Sequence, residues 1–216
     1  FSSQGSTPKA IAGKESVTRF THKSCIGQRG VAQPIKSAVK IVKNLQGRFR
    51  YERSKAPLGA TALTYADGTV RSEISQGRIG TKSVLGTPSD KYLYDAYAYD
   101  SPLEKDNITS DIEEVIVYGK IPRSSIAIPT ITGGMYSPDF MYVVKHTSGD
   151  KELNIIVETK DVENKTNIRG TEKVKIDCAR VFFDTLSADG YTVHFREQIG
   201  NKQMAQIISE VMKGAD

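Results

Sequence analysis

The sequence predicts an α/β protein, a mixed sheet flanked by helices, with a basic N-terminal strand/helix segment ahead of it. Three observations predict this. From about residue 90 onward, alternating apolar runs are interleaved with segments of helical spacing, in the order strand, helix, three strands, helix, strand, helix. Polar turns carrying glycine separate them. The 216 residues, 38% hydrophobic and 25% charged, allow one sizeable core, and no apolar run approaches the roughly 18 residues of a membrane-crossing helix.

Along the chain, residues 1–33 read as loop or weak strand. "PIKSAVKIVKNLQG" predicts a short helix: Ile35, Ala38, Val39, Val42 and Leu45 follow helical spacing, Pro34 suits its start and Gly47 its stop. On that helix Lys36, Lys40 and Lys43 share the polar face. Asp67-Gly68, inside "ALTYADGTVRSEI", marks a hairpin. The loop at residues 83–90 is the expected boundary, giving a basic segment over 1–89 and a second unit over 90–216. There Tyr92, Tyr94, Tyr97 and Tyr99 predict a strand, and Ser101 with Glu104 has the form of a capping box opening a helix at Pro102. "EEVIVYGKI" is a strand, "FMYVVKH" and "LNIIVETK" a hairpin, "TEKVKIDCARVFFDTL" a helix, "YTVHFREQI" a strand and "NKQMAQIISEVM" a closing helix.

Charge is uneven. Residues 1–60 hold twelve Lys or Arg against Glu15 and Glu52, and the remainder holds 18 basic against 23 acidic residues. A basic block attracts polyanions, nucleic acid above all, and also suits a solvated surface. Cys25 and Cys178 stand far apart, which suggests neither a disulfide framework nor a zinc knuckle and fits a reducing, cytoplasmic setting. His22, His146 and His194 lack the spacing of a transition-metal site. The chain begins at Phe1 without a secretory signal, so a piece of a longer protein is expected.

The hairpin carries the chemistry. A turn centred between Ser148 and Gly149 puts Asp139 directly opposite Glu158, with Cβ atoms about 4.5–5.5 Å apart. Glu158 and Lys160 share a strand face, and Thr159 turns to the other, toward the core. Facing carboxylates repel unless a cation joins them, and oxygen-only ligation suits a hard ion such as Mg²⁺. A solvated Glu158–Lys160 ion pair is the plainer reading of "ETK" alone. Glu104 is either a helix cap or a further acid of the site. Glu172 and Lys175 are either site residues or exposed helix charges, and Lys120 and Arg123 sit where a strand runs into a loop.

"SPD" followed about twenty residues later by "VETK" resembles the PD-(D/E)XK nuclease superfamily. With "YDSPLEKD", "VYGKIPRSSIAIPTITGGMYSPDFMYVV" and "RGTEKVKIDCARVFF", residues 91–186 resemble the C-terminal endonuclease domain of the restriction (Res) subunit of type III restriction enzymes. The resemblance implies a restriction-endonuclease-like fold and Mg²⁺-dependent hydrolysis of DNA phosphodiesters, with Mn²⁺ an alternative ion. It implies Asp139 and Glu158 as metal-binding acids, the Thr159 backbone carbonyl as a further ligand and Lys160 as the catalytic lysine, with Glu104 a candidate beside them. Double-stranded DNA is the expected substrate, with Lys120, Arg123, Lys36, Lys40 and Lys43 as candidate contacts. The expected partners are a helicase-like motor in the same subunit and a methyltransferase (Mod) subunit, with no membrane. This chain has no phosphate-loop motif, so ATP enters only through a motor domain outside it. A non-cleaving assembly module and a stand-alone repair nuclease are the alternatives.

Overall fold

In "ELNIIVETK", residues 152–160, Leu153, Ile155 and Val157 alternate on one strand face and Ile156 and Glu158 on the other, and all five are buried, so the strand is covered from both sides. The computed structural model describes residues 19–21, 37–43, 48–57, 59–146, 152–160, 162, 168–188, 193–200 and 202–214. In chain order its elements are β1 (Arg19–Thr21), β2 (Ser37–Lys43), β3 (Phe49–Pro57), β4 (Glu73–Ser75), α1 (Gln76–Ile79), β5 (Lys82–Val84), β6 (Tyr97–Tyr99), α2 (Pro102–Thr109), β7 (Val115–Lys120), β8 (Ile128–Pro129), β9 (Met135–Tyr136), β10 (Phe140–Lys145), β11 (Glu152–Lys160), α3 (Gly170–Ala188), β12 (Val193–Ile199) and α4 (Met204–Lys213).

The central sheet has the order β12-β11-β10-β7. Its pairs are antiparallel except β11 with β12, which run parallel. Parallel neighbours need a long crossover, and α3 supplies it. On one face Leu153, Ile155 and Val157 share a core with Ile207, Ile208 and Val211 of α4. On the other, Ile156 meets Cys178, Ala179 and Phe182 of α3. Each helix presents apolar residues at steps of three and four, which makes one stripe per helix. The expected mixed sheet flanked by helices is therefore the fold. No described helix is long and apolar enough to cross a membrane.

Within the helix expected over residues 34–47, the described residues 37–43 instead form strand β2, paired antiparallel with β3. Val39, Ile41 and Val42 are β-branched and favour a pleated surface, and β3 offers Tyr51 directly across from Ile41. Tyr51 stacks edge-on against Phe182 of α3 at 5.4 Å, which docks the hairpin on the main core. A strand puts Lys40 and Lys43 on opposite faces, so the expected single lysine face does not exist. Lys36 lies outside the described residues. The Asp67-Gly68 turn forms, with Gly68 at φ 85° and Asp67 accepting from the Thr69 amide at 2.9 Å, but one bridge, Thr64 with Val70, is all the pairing it carries. Of the four tyrosines expected in a strand, Tyr97 and Tyr99 lie in β6, while Tyr92 forms a single bridge to Tyr118.

β5 pairs with β6 across residues 85–96, and Gly80 precedes β5 where the chain passes against Tyr99. A Cβ at Gly80 would stand 2.3 Å from the Tyr99 amide nitrogen and 2.7 Å from its Cα, both backbone atoms. Gly80→Ala is therefore expected to lower stability by about 1–3 kcal/mol through overpacking, read as a lower urea midpoint. An unchanged midpoint would show that the β5–β6 pair yields freely.

Candidate active site

The β10–β11 register runs from Phe140 opposite Val157 to Lys145 opposite Glu152. Continued by one residue beyond β10, it brings Asp139 opposite Glu158, the pairing expected from the turn, although residues 147–151 lie outside the described ones. Asp139 is held from two sides. Its carbonyl accepts from the Ile121 amide at 2.7 Å, and its Oδ2 accepts from the Thr159 amide at 2.8 Å and the Thr159 hydroxyl at 2.7 Å. Thr159 therefore does not turn its hydroxyl into the core as expected. A half-buried hydroxyl needs an acceptor, and the Asp139 carboxylate supplies one.

Glu158 is 3% exposed. The Tyr136 hydroxyl donates to its Oε2, and Lys160 Nζ lies 2.7 Å from its Oε1. Lys160 also donates to Glu172 Oε2 at 2.6 Å, and Glu172 Oε1 accepts from Lys175 at 2.5 Å. Both Glu172 and Lys175 thus belong to the charged chain that leads from the strand end onto the first turns of α3. Burial, with Asp139 adding to it, pushes the Glu158 carboxyl up to about 7. Burial also raises Asp139 above the usual aspartate range, and Thr159 works against it. For Lys160, burial disfavours the charged form, but Glu158 and then Glu172 outweigh it and hold the ammonium charged. A cavity of about 360 Å³ opens on this side, lined by Lys160, Val162, Ile168, Arg169, Thr171 and Glu172.

A second ionic cluster lies toward α2. Ser101 and Glu104 form the capping box, and Glu104 Oε2 accepts from the Asp100 amide at 2.6 Å and the Ser101 amide at 3.3 Å. Lys120 joins it, 2.8 Å from Glu104 Oε2 and 2.6 Å from Asp100 Oδ2. Glu104 is therefore a cap and also part of the site's surroundings, since its charge helps raise Asp139. Lys120 is 4% exposed, and its ammonium is committed to two carboxylates. That removes it from the phosphate contacts expected of it, because a buried paired cation has no path to a DNA backbone. Asp100 is held down to about 2: burial opposes ionisation, and the Lys120 and Thr81 hydrogen bonds outweigh it. Arg123 remains at the surface, paired with Asp100 at 2.9 Å. Lys40 pairs with Glu52 at 3.5 Å, and Lys43 donates to the Ile131 carbonyl at 2.8 Å.

Sequence reasoning missed Tyr136 and Asp100. Tyr136 stands three residues before Asp139, and nothing in "GGMYSPD" distinguishes a core phenol from one that reaches a carboxylate on another strand. The donor set suits a hard cation: two carboxylates, both with raised pKa, and an Asp139 Oδ1 that accepts no hydrogen bond from the described residues. Among the described residues no three His, Cys, Asp or Glu side chains are grouped to hold a metal. Asp139 and Glu158 would therefore need backbone or solvent oxygens to complete a shell.

A family model described as an endonuclease domain matches residues 90–202. The chain is 40% identical over 164 residues to the type III restriction-modification enzyme EcoP15I Res subunit of Escherichia coli, covering 75% of this chain and 17% of that protein. It is 39% identical over 164 residues to the EcoPI Res subunit of Escherichia phage P1, again over 75% and 17% of the two chains. To the StyLTI Res subunit of Salmonella typhimurium it is 30% identical over 182 residues, 79% of this chain and 18% of the relative. The chain thus spans less than a fifth of the length of these relatives. No solved structure matches it.

Proposed function

We propose, on the premise that this chain belongs to the endonuclease-domain family, that the acidic end of β10 and β11 hydrolyses DNA phosphodiesters as part of a type III restriction subunit. The observation that carries the reading is the β10–β11 register, which runs to Phe140 opposite Val157 and, continued by one residue, would bring Asp139 opposite Glu158, whose Oε1 lies 2.7 Å from Lys160 Nζ. A divalent cation, Mg²⁺ or Mn²⁺, held by Asp139, Glu158 and the Thr159 carbonyl would polarise the phosphoryl group and acidify a water. Asp139 is kept in place by the Thr159 amide and hydroxyl, so its carboxylate is fixed before any ligand arrives. Lys160, kept charged by Glu158 and Glu172, offsets negative charge that builds on the phosphoryl oxygens and orients the attacking water.

Glu104 serves this site through α2 as a cap and a bridge to Lys120. Arg123 is the best-placed phosphate contact, and Lys40 on the exposed face of the β2–β3 hairpin is a second. We assign cleavage to residues 90–216, with 1–89 as a basic accessory, a cytoplasmic setting, and a motor and methyltransferase subunit as the partners that bring DNA to the site. The test uses the full-length restriction subunit with its methyltransferase partner. Asp139→Ala and Glu158→Ala should each abolish double-strand cleavage in Mg²⁺ while ATP hydrolysis persists. Cleavage surviving in both variants would sink the assignment.

A further inference from the structure

We infer that Tyr136 is a positioning residue for this site, its phenol fixing the Glu158 carboxylate for a divalent cation; the inference rests on the function proposed above. The Tyr136 hydroxyl donates to Glu158 Oε2 while Lys160 Nζ lies 2.7 Å from Oε1, so each carboxylate oxygen has one donor. Two donors at opposite ends of a carboxylate set its plane, and one donor leaves it free to swing.

Tyr136 is itself immobile. It is 6% exposed, its ring lies in the α3-side core, and its backbone pairs with Ile128. A phenylalanine would fill the same apolar space, so the hydroxyl is surplus to packing, and among the described residues its partner is Glu158. The segment Tyr136–Asp139 also reaches β11 twice in succession. Tyr136 bonds Glu158 and Asp139 bonds Thr159. One short stretch thereby ties both acids to adjacent residues of one strand, and their separation is set without the cation.

The test is Mn²⁺ titration of the full-length subunit by calorimetry, for the wild type, Tyr136→Phe, Glu158→Gln and the double variant. Tyr136→Phe should weaken Mn²⁺ binding about tenfold, comparable to loss of a partner that orients a metal ligand. In the Glu158→Gln background the same change should have no further effect. Cleavage by Tyr136→Phe should approach the wild-type maximum once Mn²⁺ is raised. Unchanged affinity in a folded Tyr136→Phe protein, or equal loss in both backgrounds, overturns the inference. Should that variant not fold, the wild type carries the test: Mg²⁺ should perturb the near-ultraviolet tyrosine spectrum, and an unperturbed spectrum overturns the inference. Wild-type protein that binds no Mn²⁺ refutes the proposed cleavage site itself, a result distinct from failure of Tyr136 alone.

Discussion

Lys160→Ala in the full-length subunit should lower DNA cleavage at least about a hundredfold, the scale seen when one preorganised electrostatic group is removed from an active site. It should also cost stability, and the two losses separate. Lys160 Nζ is the cation 2.7 Å from Glu158 Oε1, and Glu158 is 3% exposed. Stripping the partner from a buried charge costs about 3–5 kcal/mol when the charge persists. Here Glu158 has an escape, because its carboxyl already stands at about 7 and protonation removes the orphaned charge. The measured loss should therefore be small below pH 6 and grow toward pH 8. Lys160→Ala combined with Glu158→Gln should regain most of the melting temperature and none of the cleavage. Recovery of both together would mean that Lys160 merely balances charge in the fold.

How much of this was readable from residue order follows from the reach of each interaction. The β10–β11 register is local: a polar turn between two apolar runs sets it, so the Asp139–Glu158 pairing was legible although the turn residues lie outside the described ones. The capping box at Ser101 and Glu104 is local too, and it forms as the spacing implies. The stripes of α3 and α4 repeat over enough turns to be unambiguous. β2 is different. Six or seven residues with Val39, Ile41 and Val42 satisfy a helical stripe and a strand face alike, and the arbiter is β3, a partner whose pairing no local pattern announces. Lys120 shows the same limit at the site. At the end of a strand it reads as an exposed cation, and only packing of α2 against β7 reveals the Asp100 and Glu104 carboxylates that bury it. Thr159 was misread because strand alternation places a side chain on a face without saying which polar group waits there.

The second large effect concerns pH and metal together. Glu158 moves from an ordinary value of 4.5 to about 7 in the folded chain, through burial first and the Asp139 charge next. A carboxyl raised on folding binds its proton more tightly in the native state, so its contribution is fully present below pH 4.5 and is lost as pH rises through 7. The size is about 3 kcal/mol across that interval. Asp139 is raised as well and adds in the same direction. Asp100 and Glu172 are lowered by their lysine partners, so their stabilisation is lost only on stronger acidification, outside the window that Glu158 controls. In chelator, the urea midpoint should therefore fall between pH 5 and pH 8, and Glu158→Gln should flatten much of that slope. Mg²⁺ should reverse it. A cation needs the deprotonated carboxylates, so binding competes with protons and its stabilisation grows with pH. Millimolar Mg²⁺ should thus raise the midpoint strongly at pH 8 and hardly at all at pH 5. Equal stabilisation at both pH values would place the ion somewhere other than Glu158, and none at either would leave the two facing acids without the cation that their repulsion calls for.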